Sequence, residues 1–153
     1  MTDFPSDDKL LDSISSIITD MPLIISGIST EQFMVFAREE GYSCSVDDDG
    51  DLLWKLDGYT TYLFISKSSH IITFQTGFQC SEEDELALLQ RINDWHRGIR
   101  FARSYFERWP ENVDLVKLEL ELDLTGGITR ERLIDFLSIC RDMFTKWRAE
   151  VLD

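Results

Sequence analysis

The sequence predicts an α+β domain in which an antiparallel sheet of about six strands carries helices mainly on one of its faces. Three observations carry that expectation. Residues 116–124 alternate strictly: Val116, Leu118, Leu120, Leu122 and Leu124 point one way, and Lys117, Glu119, Glu121 and Asp123 point the other. This is the pattern of a strand whose sheet is wet on one side. Leu133, Phe136, Leu137, Cys140, Met143, Phe144, Trp147 and Val151 recur by threes and fours, as the buried stripe of a long helix does. Between residues 42 and 77, short runs rich in Thr, Tyr, Phe and Ile are separated by Asp/Gly turns, which reads as an antiparallel meander.

The elements follow in the order α-β-β-β-β-α-β-β-α. Residues 1–27 are expected to form an N-terminal extension, with Leu10, Leu11, Ile14, Ile17 and Ile18 on the stripe of a short helix that Met21-Pro22 interrupts. Residues 28–153 form the main domain. Ser29-Thr30-Glu31-Gln32 is a capping box, in which Ser29 and Gln32 satisfy orphan backbone donors at a helix start. That helix runs to about Glu40, stops at Gly41 and carries Phe33, Phe36 and Ala37 as its core stripe. Tyr42, Cys44 and Val46 alternate next, followed by the acidic turn Asp47-Asp48-Asp49-Gly50-Asp51. Leu52, Trp54 and Leu56 alternate up to Asp57-Gly58, and 60–66 and 71–77 complete four strands. Ser81 then precedes Glu82, Glu83, Asp84 and Glu85, an N-cap with an acidic first turn that suits the helix dipole. Leu88, Leu89, Ile92 and Trp95 face inward, and Gly98 ends this helix. Residues 99–106 return to strand-like content, the alternating strand follows, and Gly126-Gly127 leads into the last helix with Thr129 as its cap.

The chain of 153 residues has room for one core, 43% of it hydrophobic and 29% charged. A domain of that size buries roughly 70% of its unfolded surface and folds without staples. No apolar run approaches the roughly 20 residues that cross a bilayer. The acidic opening Met1-Thr2-Asp3-Phe4 is unlike the basic start of a secretory signal. Cys44, Cys80 and Cys140 are odd in number and lack CxxC spacing, so they read as reduced core thiols in a cytoplasmic protein. The net charge of −14 opposes both a phosphate backbone and an anionic membrane surface, so neither nucleic acid nor membrane is expected as partner.

Chemistry-bearing patterns are scarce. With Gly50 at the sixth place of a calcium loop, the first place would be Ser45 and the twelfth Leu56, so the bidentate glutamate is missing and the segment reads as a hairpin turn. His70 and His96 lie far apart, without zinc-ligand spacing, and no metal or cofactor is expected. No GxSxG elbow or phosphate-cradling glycine loop is present, so the chain reads as no enzyme. Arg91, Arg97, Arg100, Arg103 and Arg108 gather a third of the 15 basic residues into one short stretch. They read as cross-strand partners of Glu119, Glu121 and Asp123, or alternatively, through Arg100 and Arg103, as a site for a small anion. Met34, Val35, Leu86, Ile134 and Ile139 lie outside the core stripes, and such widened apolar faces suit a dimer seam or a partner groove.

Ile92-Asn93-Asp94-Trp95-His96 followed by Arg100-Phe101-Ala102-Arg103-Ser104-Tyr105 resembles the YbjN-domain family, in which an "N-x-W-N" helix end leads into an "RFARAY"-like strand. The strand ending Asp123-Leu124, the run Gly126-Gly127-Ile128-Thr129 and the opening Thr30-Glu31-Gln32-Phe33 through Gly41-Tyr42 are similar too. The resemblance spans residues 28–152, with His96 standing where the family usually has a second asparagine. It implies a bacterial sensory transduction regulator without an established reaction, and a fold like that of the type III secretion chaperones, small acidic homodimers that hold a segment of another protein.

The expected function is thus a non-enzymatic binding module, a homodimer in the cytoplasm that engages a protein partner. Met34 and Val35 are the candidate partner contacts, and Leu86 and Ile139 the candidate dimer seam. The alternative is a sensor of a small anion through Arg100 and Arg103.

Overall fold

The computed structural model describes residues 24–80 and 85–153, so the expected helix within residues 1–20 and the Ser81 cap lie outside the described residues. Helix α1 (Thr30–Glu39) begins as its capping box dictates: Gln32 N–H donates to Ser29 Oγ at 3.1 Å, and Ser29 N–H donates to Gln32 Oε1 at 3.0 Å. Its stripe of Phe33, Phe36 and Ala37 is wholly buried. Strands β1 (Cys44–Val46), β2 (Leu52–Leu56), β3 (Tyr59–Ile65) and β4 (Ile71–Gln79) follow as a meander. In the acidic turn, Asp47 Oδ1 accepts from the N–H groups of Asp49 and Asp51, so its carboxylate holds a turn.

Helix α2 (Glu85–Gly98) leads to β5 (Arg103–Trp109), and β6 (Val113–Asp123) leads to α3 (Arg130–Trp147), which runs on into a wider turn over Arg148–Leu152. Residues 99–102, expected as part of a strand, are instead the connection into β5. Phe101 stands 66% exposed there. The ladder begins where Ser104 N–H donates to His96 Nε2 at 3.0 Å, which ties the strand to the helix before it.

All strand pairs are antiparallel, in the order β1-β2-β3-β4-β6-β5. β6 is therefore inserted between β4 and β5, and α2 carries the chain across it. The helices gather on one face, over Leu52, Trp54, Leu63, Ile72, Phe74, Val116, Leu118 and Leu120. Trp54 lies edge-on to Phe74 at 5.7 Å, and Phe78 meets Trp147 at 5.8 Å. At that junction Trp147 Nε1 donates to Ser104 Oγ (2.8 Å), which donates to the Lys117 carbonyl (2.8 Å), so every polar atom in this buried link is paired. Arg130 ties α3 to α1 by lying over the Phe36 ring at 5.2 Å and pairing with Glu40 at 3.2 Å.

Ile25, within the stretch expected as an extension, is buried and exchanges backbone hydrogen bonds with Ile128. Ile24 lies so close to Gly127 that a Cβ there would overlap it, and the positive φ of Gly127 (89°) also favours glycine. His70 Nδ1 donates to the Ser26 carbonyl at 2.6 Å, fixing the same segment beside the β3–β4 turn.

Candidate functional site

With the helices of the described residues on one face, the other face of the sheet carries the side chains of opposite parity. One row runs Ser45–Leu53–Tyr62–Gln75–Glu119–Arg103 from edge to edge. This open face has two different halves.

The β5–β6 half is occupied by its own side chains. Glu119, only 7% exposed although it lies on the open side, accepts from Gln75 Nε2 at 2.6 Å and from Arg103 Nε and Nη2 at 2.7 Å each. Beside it Lys117 Nζ pairs with Glu107 at 2.6 Å and lies 5.3 Å from the Trp109 ring centroid and 6.0 Å from that of Tyr105. Hydrogen bonds from Lys117 and Trp109 hold the Glu107 carboxyl below the usual range, and the bond to Glu107 holds the Lys117 ammonium above its own. Gly77, directly across from Lys117, leaves room for its stem, since a Cβ at 77 would stand 3.3 Å from Lys117 Cγ.

The β2–β4 half lacks such a network and carries an apolar patch among Lys55, Thr60, Thr73 and Gln75. Leu53, Tyr62, Phe64 and Ile71 lie on it, with Tyr62 37% and Ile71 39% exposed. The rings of Tyr62 and Phe64, two residues apart on β3, lie parallel within 7° at a centroid distance of 6.0 Å. The sequence carries a signal for this patch. In 62–65 both parities are apolar or aromatic, Leu63 and Ile65 on one side and Tyr62 and Phe64 on the other, although a sheet wet on one side calls for polar residues there.

The candidate residues read from sequence are distributed as follows. Met34 and Val35 are half-buried on α1 and pack against the core. Leu86 is 73% exposed on α2, whereas Ile139 is half-buried on α3. Arg100 and Arg103 do meet, on a shallow cleft of about 310 Å³ that they share with Glu119 and Glu121. Arg103, however, is held by Glu119, with Glu121 at 3.9 Å. Arg108 binds Asp114 at 2.8 Å and Glu85 at 3.0 Å, joining β5, β6 and α2.

A larger cleft of about 710 Å³ opens between α2, the ends of β3 and β4 and the C-terminal turn, with Phe78, Phe106 and Val116 among its lining residues. Arg91 and Arg148 also line it, but so do Glu85 and Asp153, so its charges balance in number. Arg148 lies over the Tyr59 ring at 4.0 Å and donates to its hydroxyl at 3.0 Å, and Arg91 Nε donates to the Val151 carbonyl at 3.0 Å. Both arginines thus hold the walls together.

Burial pushes the Cys44 thiol up to about 11, and that of Cys140 well above its ordinary value, so both are protonated at neutral pH. Among the described residues no group of three or more His, Cys, Asp or Glu side chains is placed to hold a metal ion, and no helix is long and apolar enough to cross a membrane. What the open face offers is contact area, aromatic on one half and ionic on the other.

The family model YbjN, described as "putative bacterial sensory transduction regulator", matches residues 29–153. Among solved structures, the chain is similar to "YbjN, a putative transcription regulator from E. coli", with 13% identity and a TM-score of 0.68 over 78% of this chain and 86% of that one. At that identity the likeness establishes the fold. A comparison with curated proteins finds no match.

Proposed function

We propose that this chain, which belongs to the YbjN family, is a non-enzymatic cytoplasmic regulator that works as a chaperone-like adaptor, holding a segment of a protein partner against the open face of its sheet. The observation that carries this reading is the Tyr62–Phe64 stack with Leu53 and Ile71 beside it, an aromatic surface on the side of the sheet that no helix among the described residues covers. Apolar surface of this kind on a highly charged chain is characteristic of a docking site. Rigid aromatic side chains also lose little conformational freedom on binding, which suits them as anchors.

Tyr62→Ser with Phe64→Ser tests the reading. Both positions are on the open face, so the double variant should fold with little loss of stability. Affinity recovery from bacterial cytoplasm, read by mass spectrometry, should return the same protein repeatedly with the parent chain and lose it with the variant. Recovery of the same proteins by both chains would overturn the reading. Met34 and Val35 remain candidate contacts, but they pack against the core, so charged substitutions there would test folding together with binding.

The proposed homodimer would form on the helical side. Leu86 at 73% exposure and Leu89, which was expected to face inward but is 41% exposed, supply an apolar strip on α2, with Ile139 on α3 as a further candidate, and the sheet face stays free. Light scattering should give a dimer mass that falls to the monomer in Leu86→Glu. The second reading, a small-anion sensor, is favoured only by the shared cleft of Arg100 and Arg103, and the bond from Arg103 to Glu119 weighs against it.

A further inference from the structure

We infer that the occupant of the open face is a basic amphipathic helix of the partner protein, laid across β2–β4 with its apolar stripe on Tyr62 and Phe64 and its lysines or arginines towards Glu121 and Asp123. The inference rests on the function proposed above and adds the chemistry of the partner. Its first ground is width. Leu53 lies on β2, Tyr62 and Phe64 on β3, and Ile71 on β4. Two strand spacings make about 10 Å, close to the roughly 10 Å diameter of one helix.

The second ground is charge. In the register, Phe64 stands beside Thr73 and Thr73 beside Glu121, while Ile71 stands beside Asp123. The apolar patch is therefore bordered along β6 by two carboxylates. The Glu121 side chain is 56% exposed, and the guanidinium 3.9 Å away is already bound to Glu119 at 2.7 Å. Asp123 is exposed and accepts from Thr125 N–H at 2.8 Å, a bond that leaves its negative charge in place. On the opposite flank Asp51 immediately precedes β2 and ends the acidic turn. The cations near this half are Lys55, whose Nζ binds Thr60 Oγ1 at 2.8 Å, Lys67 in the β3–β4 turn, and Arg100, which lines the shallow cleft beside Glu121. A helix with basic flanks meets these carboxylates, whereas a neutral or acidic one leaves them desolvated or repelled.

The same charge separates this occupant from its rivals. A second copy would bring the same carboxylates and a net charge of −14 to the face. The chain's own residues 1–23 hold Asp3, Asp7, Asp8, Asp12 and Asp20 against Lys9, and would also set acid against acid.

The test is calorimetric titration of the full chain with a leucine–lysine peptide of helical period, and with the same peptide carrying glutamate for lysine. The lysine peptide should bind and the glutamate peptide should not. Affinity for the lysine peptide should fall about tenfold or more in Glu121→Gln/Asp123→Asn and in Tyr62→Ser/Phe64→Ser. It should hold in Glu131→Gln/Asp135→Asn, which removes equal charge from exposed positions on α3. Equal weakening by the α3 pair would reduce the effect to net attraction and overturn the inference. Loss with the aromatic pair alone would also overturn it while leaving the face as a docking site. Insensitivity to both open-face pairs would sink the inference and the proposed function together. If the full chain binds neither peptide, the face is covered by its own residues or by another copy, and the inference falls.

Discussion

Arg103→Ala separates a structural arginine from a ligand-binding one, and its cost can be worked from the geometry. The guanidinium makes two short contacts to one oxygen of Glu119, whose side chain is 9% exposed, while that of Arg103 is 63% exposed. A buried, charge-assisted hydrogen bond contributes about 1.5–3 kcal/mol, but a mostly hydrated guanidinium keeps much of its solvation in either state, which cuts the pair to about 1 kcal/mol. Removing Arg103 also leaves the Glu119 carboxylate with Gln75 as its remaining hydrogen-bond partner in this row, at a further cost of about 1 kcal/mol. The sum of about 2 kcal/mol corresponds to about 4–8 °C in Tm for a domain of this size. Urea unfolding followed by tryptophan fluorescence measures it, with Arg100→Ala as a control expected to change stability by less than about 0.5 kcal/mol. Arg103→Met combined with Glu119→Leu should recover most of the loss, because it removes both charges together. A loss for Arg103→Ala no greater than for Arg100→Ala would refute the reasoning and return Arg103 to the list of ligand-binding residues.

Three further outcomes follow from the same packing. Ser104→Ala, which strands the buried Trp147 indole N–H and removes the side-chain bond to the Lys117 carbonyl, should lose about 1–3 kcal/mol in urea unfolding, with a large coupling energy to Trp147→Phe in a double-mutant cycle. The hydrogen bond from Arg108 holds the Asp114 carboxyl below its ordinary range, so its contribution is present above an unfolded pKa of about 3.9 and is lost as pH falls through the lower folded value. Arg108→Leu should therefore flatten the acid limb of the stability curve below about pH 4, as read by unfolding across a pH series. Of the three thiols, half-buried Cys80 should react with iodoacetamide well before Cys44 and Cys140, and mass spectrometry of the folded chain would show the order.

The parts of the fold that were legible in the sequence are those fixed by neighbours along the chain. Ser29 and Gln32 announce a helix start within four residues, and Thr129 does the same where Arg132 N–H meets its hydroxyl at 3.2 Å. Val116 to Leu122 give away the covered face by parity alone. Strand order was not legible, because pairing β4 with β6 depends on contacts such as Phe74 opposite Leu120, far apart in sequence. The sequence sets the start of β5 too early for a related reason, since Ile99 and Phe101 are apolar enough for a strand while Ser104 is tied to His96 where the ladder starts. Glu119 is the clearest case: its parity says solvent, yet it is buried because Gln75 and Arg103 close over it from two other strands. The Tyr62–Phe64 patch was visible as a strand apolar on both sides, but which side the helices cover is a property of the whole sheet.

The central claim, that the uncovered sheet face holds a protein partner, is tested most directly by photo-crosslinking in living bacteria with a benzophenone side chain placed at position 62. A second site at position 145, exposed on α3, serves as the comparison. The account predicts a crosslink from position 62, and none from 145, to a different protein, at a lysine- or arginine-rich amphipathic segment. Crosslinks from position 62 only within the chain or to a second copy of it would contradict the claim.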